Sequence, residues 1–226
     1  MGGPVIRPAI LYWMLGAASL AAGAWLVCPA GQCFMPELDR SGLGLAHQLH
    51  NPTLDGLMTI ITSFGSIWLL LPLASVGVAW LWFRGRRLES GFVLLALLGA
   101  TALAQLVKLW VARPRPDLYA LSYANPLPMP ADLSFPSAHS MQAAALATAL
   151  FLVLSRQRAE WHDSLAWLLA ALALLVGLSR IYLQVHFPSD VLAGLLAGTF
   201  WVLGLHALMF PRSARYGLAT ASGNTA

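Results

Sequence analysis

The stretch that decides the fold is Ser90–Val107, SGFVLLALLGATALAQLV, which runs for 18 residues without an Asp, Glu, Lys or Arg. As an α-helix it reaches about 27 Å, close to the thickness of a bilayer's hydrocarbon core. Directly after it comes Lys108-Leu-Trp-Val-Ala-Arg113-Pro114-Arg115-Pro116, a run crowded with positive charge. Five other stretches free of acids and fixed cations lie on either side: Ala9–Val27, Gly56–Phe83, Ser134–Ser155, Ser164–Ser179 and Val191–Pro211. The fourth of these continues apolar to Val185 apart from Arg180, and the third carries one ionisable group, His139.

The rest of the composition agrees. The 226 residues are 58% hydrophobic and only 10% charged, and mean hydropathy is +0.70. Soluble domains carry roughly a quarter charged residues. A soluble globule, a disordered chain and a nucleic-acid binder are therefore excluded. The pattern predicts an all-α fold, a polytopic membrane bundle of six transmembrane helices joined by short loops. Residues 1–215 form one integral-membrane domain. The small, polar stretch 216–226 is read as a disordered tail. The first apolar stretch is longer than the h-region of a secretory signal and is taken as a span.

Basic residues orient the bundle. With six spans, the face holding the N-terminus receives Arg7, Arg84, Arg86, Arg87, Arg156, Arg158, Arg212 and Arg215. The opposite face receives Arg40, Lys108, Arg113, Arg115 and Arg180. The excess places both termini in the cytoplasm. Topology leaves the outer cations without a reason, and they gather near His139 and His186. Also outside is the segment from Cys28 to Asp55, read as a short interfacial helix around Leu43, Leu45 and Leu49, with a lip guiding lipid as the sharper reading. Its cysteines, Cys28 and Cys33, are either a disulfide, which an oxidising compartment permits, or two buried thiols. Trp80, Trp82 and Trp110 are expected to anchor span ends.

Three clusters converge on the outer surface: Lys108 through Pro116, Phe135-Pro-Ser-Ala-His139, and Ser179-Arg180 through His186 to Asp190. Cations at the edge of a low-dielectric slab are costly unless an anion neutralises them. Arg115 and Arg180 offer forked donors suited to phosphate oxygens, and Lys108 a point charge. Lys108 precedes Arg115 by about two helical turns, although Pro114 and Pro116 are expected to end the helix between them. Pro136 is placed to open the next helix, with Ser137 and Ala138 offering free N–H groups to an anion. Asp190, four residues after His186 in the first turn of the last helix, can fix the imidazole tautomer and leave the other nitrogen as nucleophile or base. His139 is the candidate general acid.

These residues resemble the three signatures of the type 2 phosphatidic acid phosphatase superfamily, which includes vanadium haloperoxidases and glucose-6-phosphatase. K-x6-R-P is met by Lys108, Arg115 and Pro116; P-S-G-H by Pro136, Ser137, Ala138 and His139; S-R-x5-H-x3-D by Ser179, Arg180, His186 and Asp190. Ala138 replaces the usual glycine, but alanine keeps the backbone N–H the position supplies. The resemblance implies a metal-independent phosphatase of the bacterial inner membrane, without cofactor. It makes His186 the nucleophile, Asp190 its orienting partner and His139 the general acid. Lys108, Arg115, Ser137, Ala138 and Arg180 hold phosphate.

The expected substrate is a lipid-linked phosphate or diphosphate at the outer leaflet: undecaprenyl diphosphate, phosphatidylglycerol phosphate, phosphatidic acid or a lipid A phosphate. Membrane lipids surround the chain, and no obligatory protein partner is implied. Two other functions compete with this one. A lipid-phosphate binder or transporter would use the same cations but needs no oriented nucleophile. A serine-histidine protease using Ser137 or Ser140 leaves the cations without a role. A metal site at His139, His186 and Asp190 is disfavoured by the same cations. Arg113 is read as a lipid-headgroup contact or snorkelling side chain. Asp117 and Asp132 are read as solvated, and Tyr119, Tyr123 and Pro126–Pro130 as a stiff loop over the site. His47, His50, His162 and His206 are read as packing residues.

Overall fold

The computed structural model describes residues 6–116, 131–157 and 162–211, and among these the regular structure is helical throughout. The elements are α1 (Ile6–Val27), α2 (Glu37–Gln48), α3 (Pro52–Ser63), α4 (Ile67–Phe83), α5 (Arg87–Val111), α6 (Ala138–Leu154), α7 (His162–Tyr182) and α8 (Pro188–Met209). All six apolar stretches fall on these helices. Asp117, Tyr119, Tyr123, Pro126–Pro130, Arg158, Arg212, Arg215, the tail 216–226 and the side chain of His162 lie outside the described residues.

Local sequence explains where the helices begin and end. Pro52 opens α3 behind Asn51, whose side chain accepts the Leu54 N–H at 2.9 Å. Ala112 ends α5 in the left-handed region (φ 53°), with its N–H donating to the Lys108 carbonyl. Pro114 and Pro116 follow with fixed φ and no N–H to give, so the ladder of α5 does not continue through them. Pro188 is the first residue of α8, where a missing N–H costs nothing. The Asp190 carboxylate turns back to accept the Phe187 N–H at 3.0 Å.

α8 lies at the centre, packed on α1, α6 and α5; α6 also packs on α7 and α5, and α4 on α5. Close approach of α6 and α8 depends on glycine: a Cβ on Gly194 would lie 2.6 Å from the Ser137 carbonyl oxygen. The outer surface of the bundle is apolar, with Trp68 87%, Phe83 88% and Trp167 77% exposed. Arg84 and Arg87 stack over Trp80 and Trp82 at 5.2 and 5.1 Å, as expected of interfacial anchors.

Four helices, α1, α5, α7 and α8, are each long and apolar enough to cross a membrane. The stretch Gly56–Phe83, read as one span, is instead broken between α3 and α4, which meet at 46°. Taken together the bent pair would make a fifth crossing, while α6 is shorter at 17 residues. The break falls at Phe64-Gly65-Ser66, where Gly65 abuts α6: a Cβ there would sit 3.0 Å from the His139 Cβ.

The segment between α1 and α3 is more built than a surface anchor. Cys28 and Cys33 are joined as a disulfide, which settles the open choice between bridge and thiols. α2 exposes Leu45 but buries Leu43 and Asp39. His50 pairs with Asp55 at 2.7 Å, and Asp55 also accepts the Tyr182 hydroxyl at 2.8 Å. His206 packs edge-on to Phe92.

Candidate active site

The end of α5, the segment entering α6, and the α7–α8 turn meet at one end of the bundle. Lys108, in the last turn of α5, is buried with its Nζ donating to the Asp132 carboxylate at 2.7 Å and to the Leu133 carbonyl. Arg115 lies beyond the helix end, so it does not share a helical face with Lys108. The two cations meet through Asp132 instead. Arg115 donates from Nε to the Asp132 carbonyl at 2.8 Å, and from its terminal nitrogens to the Asp132 carboxylate and the Val185 carbonyl.

His186 sits in the turn between α7 and α8, 1% exposed. Its Nδ1 is 3.3 Å from Asp190 Oδ2, and its Nε2 is 3.3 Å from Arg115 Nη1. A guanidinium can only donate. The nitrogen facing it is therefore the acceptor, and the ring proton lies on Nδ1 toward Asp190. Complete burial, followed by the nearby charges of Arg115, Arg180 and Lys108, pushes the His186 pKa well below its ordinary value. The imidazole is thus neutral near pH 7 and presents an unprotonated Nε2 among cations.

The segment entering α6 is tied to the same carboxylate. Ser134 donates its hydroxyl to Asp190 Oδ2, and the Ser137 N–H donates to the Asp190 carbonyl at 3.0 Å. The Ser137 N–H is therefore engaged rather than free, contrary to the sequence expectation. The helix begins at Ala138, two residues later than expected, with Ser137 as its cap, accepting from Ser140 N–H and Oγ. Among the described residues, the N–H groups of Ala138 and His139 at its open end make no hydrogen bond. His139 is half-buried, within electrostatic reach of Arg180, Lys108 and Arg115. Arg180 donates from Nη1 to the Thr62 hydroxyl at 2.8 Å, and its buried Nε has no partner among the described residues. Its carbonyl accepts the Val185 and His186 N–H groups, which ties the turn carrying the imidazole to the end of α7.

Every site residue named from the sequence lies at this end of the bundle, and three others join them. Arg113 is not a snorkelling side chain: it is fully buried between Asp39 and Asp190, 2.7 Å from each. Asp132 is not simply solvated: burial alone would raise its pKa, but Lys108 and Arg115 hold it down to about 2. Asp39 has no sequence signal, because its partner Arg113 is 74 positions away. Among the described residues no group of three or more His, Cys, Asp and Glu is arranged to hold a metal.

Comparison with known proteins agrees with this architecture. Over 154 residues the chain is 37% identical to phosphatidylglycerophosphatase B of Bacillus subtilis, covering 66% of this chain and 72% of that protein. Over 155 residues it is 30% identical to an undecaprenyl-diphosphatase of Sulfolobus acidocaldarius, covering 66% and 68%. The crystal structure of a transmembrane PAP2-type phosphatidylglycerolphosphate phosphatase from Bacillus subtilis superposes with TM-score 0.70 at 26% identity, covering 97% of this chain and 99% of that one. The model of the PAP2 superfamily matches residues 89–214, which hold all three sequence signatures and the whole imidazole–carboxylate–cation cluster. The chain is an integral membrane phosphatase and belongs to the PAP2 superfamily.

Proposed function

We propose that this phosphatase hydrolyses a phosphomonoester or diphosphate carried by a membrane lipid, through a phosphohistidine on His186. The observation that carries the reading is the double engagement of one neutral imidazole: Asp190 3.3 Å from Nδ1 and Arg115 3.3 Å from Nε2. Phosphate seated among Lys108, Arg115 and Arg180 would meet Nε2 directly. The lone pair forms a P–N bond as the P–O bond to the lipid breaks, and His139 gives its proton to the departing oxygen. Water then attacks phosphorus, His139 takes back a proton, the P–N bond breaks, and phosphate leaves. Developing negative charge is matched by the three cations and the open N–H groups at the start of α6. The cations supply the electrostatic role a metal would otherwise fill, and they repel one, so the reaction is metal-independent.

Phosphatidylglycerol phosphate and undecaprenyl diphosphate are the leading substrates, by likeness to the two relatives named above. The apolar flank of the bundle suits delivery of such molecules from the bilayer. A single domain over residues 1–215 would cross six times, counting α3–α4 as one bent crossing and α6 as another. The eight-to-five division of basic residues supports cytoplasmic termini and a site facing the exterior of a bacterial inner membrane.

The test is phosphate release from a panel of lipid phosphates by the purified chain in detergent, with His186→Ala alongside. Release by the parent and none by the variant is expected. Wild-type-like release by the variant removes His186 as nucleophile. Tight binding by the parent without phosphate release would make the chain a binder instead.

A further inference from the structure

This chemistry leaves Asp39 and Arg113 unused, yet both are buried in a trio with Asp190. All three side chains are 0% exposed. Arg113 donates from Nη1 to Asp190 Oδ1 at 2.7 Å and to the Ser189 hydroxyl at 2.8 Å. From Nη2 it donates to Asp39 Oδ2 at 2.7 Å and to the Phe34 carbonyl at 3.3 Å. Its guanidinium also lies 3.8 Å from the centre of the Phe187 ring. Asp39 is equally committed, accepting the Ser189 N–H at 2.8 Å and the Ser189 hydroxyl at 2.7 Å.

We propose that Arg113 and Asp39 are positioning residues that fix the orientation and the net charge of Asp190, and so set when His186 can act. The inference rests on His186 being the nucleophile. Asp190 has two oxygens: one faces the imidazole, Ser134 and the Phe187 N–H, and the other is held, among the described residues, by Arg113. Removing Arg113 takes the side-chain donor from one carboxylate oxygen, loosening its orientation, and leaves its charge uncompensated. Asp39 answers a different need. Arg113 with Asp190 alone is neutral and would do little for an imidazole that becomes cationic when phosphorus bonds to it. With Asp39 added, the trio carries one net negative charge, matched to that cation. The supply of this charge from α2 links the disulfide-bearing outer segment to the centre of the site.

Other titratable and charged groups face His186 from the packed elements: Lys108 from the last turn of α5, Arg115 from the segment after it, His139 from α6, Arg180 from α7 and Asp190 from α8. None of these changes in the two variants that matter, so the shifts isolate the trio. The experiment measures kcat/KM against pH for the full chain in detergent with para-nitrophenyl phosphate. The substrate's own titration is common to all variants. In Arg113→Gln the uncompensated carboxylates favour protonated His186, so the acid limb moves up by about one pH unit. In Asp39→Asn the trio loses its net negative charge, which moves the limb down by a similar amount. Arg113→Lys keeps the charge and keeps the limb in place, with lower kcat because the fork is lost.

Opposite shifts from the two neutralising variants are the expected result, and a purely structural role would not produce them. Unmoved limbs, or limbs moving the same way, overturn the proposal. If Arg113→Gln cannot be recovered folded, Asp39→Asn alone decides, by a downward shift or none. His186→Ala separates the two failures: residual turnover there sinks the nucleophile, whereas an inactive His186→Ala with unmoved limbs in the others sinks only this inference.

Discussion

Asp132 sits on Lys108, its Oδ2 2.7 Å from the ammonium, and its other carboxylate oxygen pairs with Arg115. A carboxylate thus rests on the two cations proposed to receive phosphate. Substrate must displace it. Although its partial burial opposes ionisation, the two cations hold its pKa at about 2. It stays charged at any working pH, so pH offers no relief. The attraction it contributes to the fold is present above the ordinary carboxylate pKa and disappears only as pH falls through about 2. Asp132→Asn is expected to lower the KM for lipid phosphate and the Ki of orthovanadate by about three- to tenfold, the scale of one charge-assisted hydrogen bond. Initial-rate kinetics and vanadate titration check this; unchanged constants would show that substrate does not compete with Asp132.

Asp190→Asn is expected to cut kcat by about four orders of magnitude with KM within a few-fold, as loss of a tautomer-fixing carboxylate does elsewhere. The amide offers no charge to Nδ1–H and turns a donor toward Arg113 or Ser134. Steady-state kinetics decide the point. A drop confined to KM would assign Asp190 to binding instead.

Replacement of His139 by Asn should discriminate between leaving groups. With an activated aryl phosphate the oxygen departs without a proton, so the loss in kcat should be about tenfold or less. With an alkyl lipid phosphate it should reach about 10²- to 10⁴-fold, the range of general-acid assistance. Equal losses with both substrates would remove His139 from proton transfer.

Gly194→Ala tests the coupling of α8 to the α6 entry. The added methyl would meet the Ser137 carbonyl oxygen at 2.6 Å, so Ser137 and its cap must move. A destabilisation of about 1–3 kcal/mol is expected from overpacking, together with reduced kcat. Gly44→Ala, where nothing lies within 4 Å, is the control and should leave both unchanged or slightly raise stability. Thermal unfolding and turnover, read side by side, check the pair.

Much of the site is legible in the sequence because charge is so scarce in this chain. Lys108, Arg115 and Arg180 stand out where apolar helices end, and the four-residue step from His186 to Asp190 is a local relationship that helical geometry makes meaningful. The all-helical, apolar architecture is legible for the same reason, apart from the break at Gly65. Only Gly65-Ser66 marks that break within the apolar run Gly56–Phe83, and the side chains that press on Gly65, Val176 and His139, come from other helices. Arg113 is misread for a related reason. It stands two positions before Arg115, but Ala112 and the prolines turn the chain so that the two side chains point to different carboxylates. Which carboxylates they meet depends on α2 and on the stretch entering α6, both distant in sequence.

The length of α6 carries a further consequence. Its 17 residues rise about 26 Å, slightly less than the roughly 30 Å of an average bilayer's oily interior. His139 occupies its second position. Were α6 one of the crossings, a thicker bilayer would sink that imidazole below the headgroup plane and a thinner one would lift it toward water, so leaflet thickness would set how far a phosphate must descend to reach the histidines.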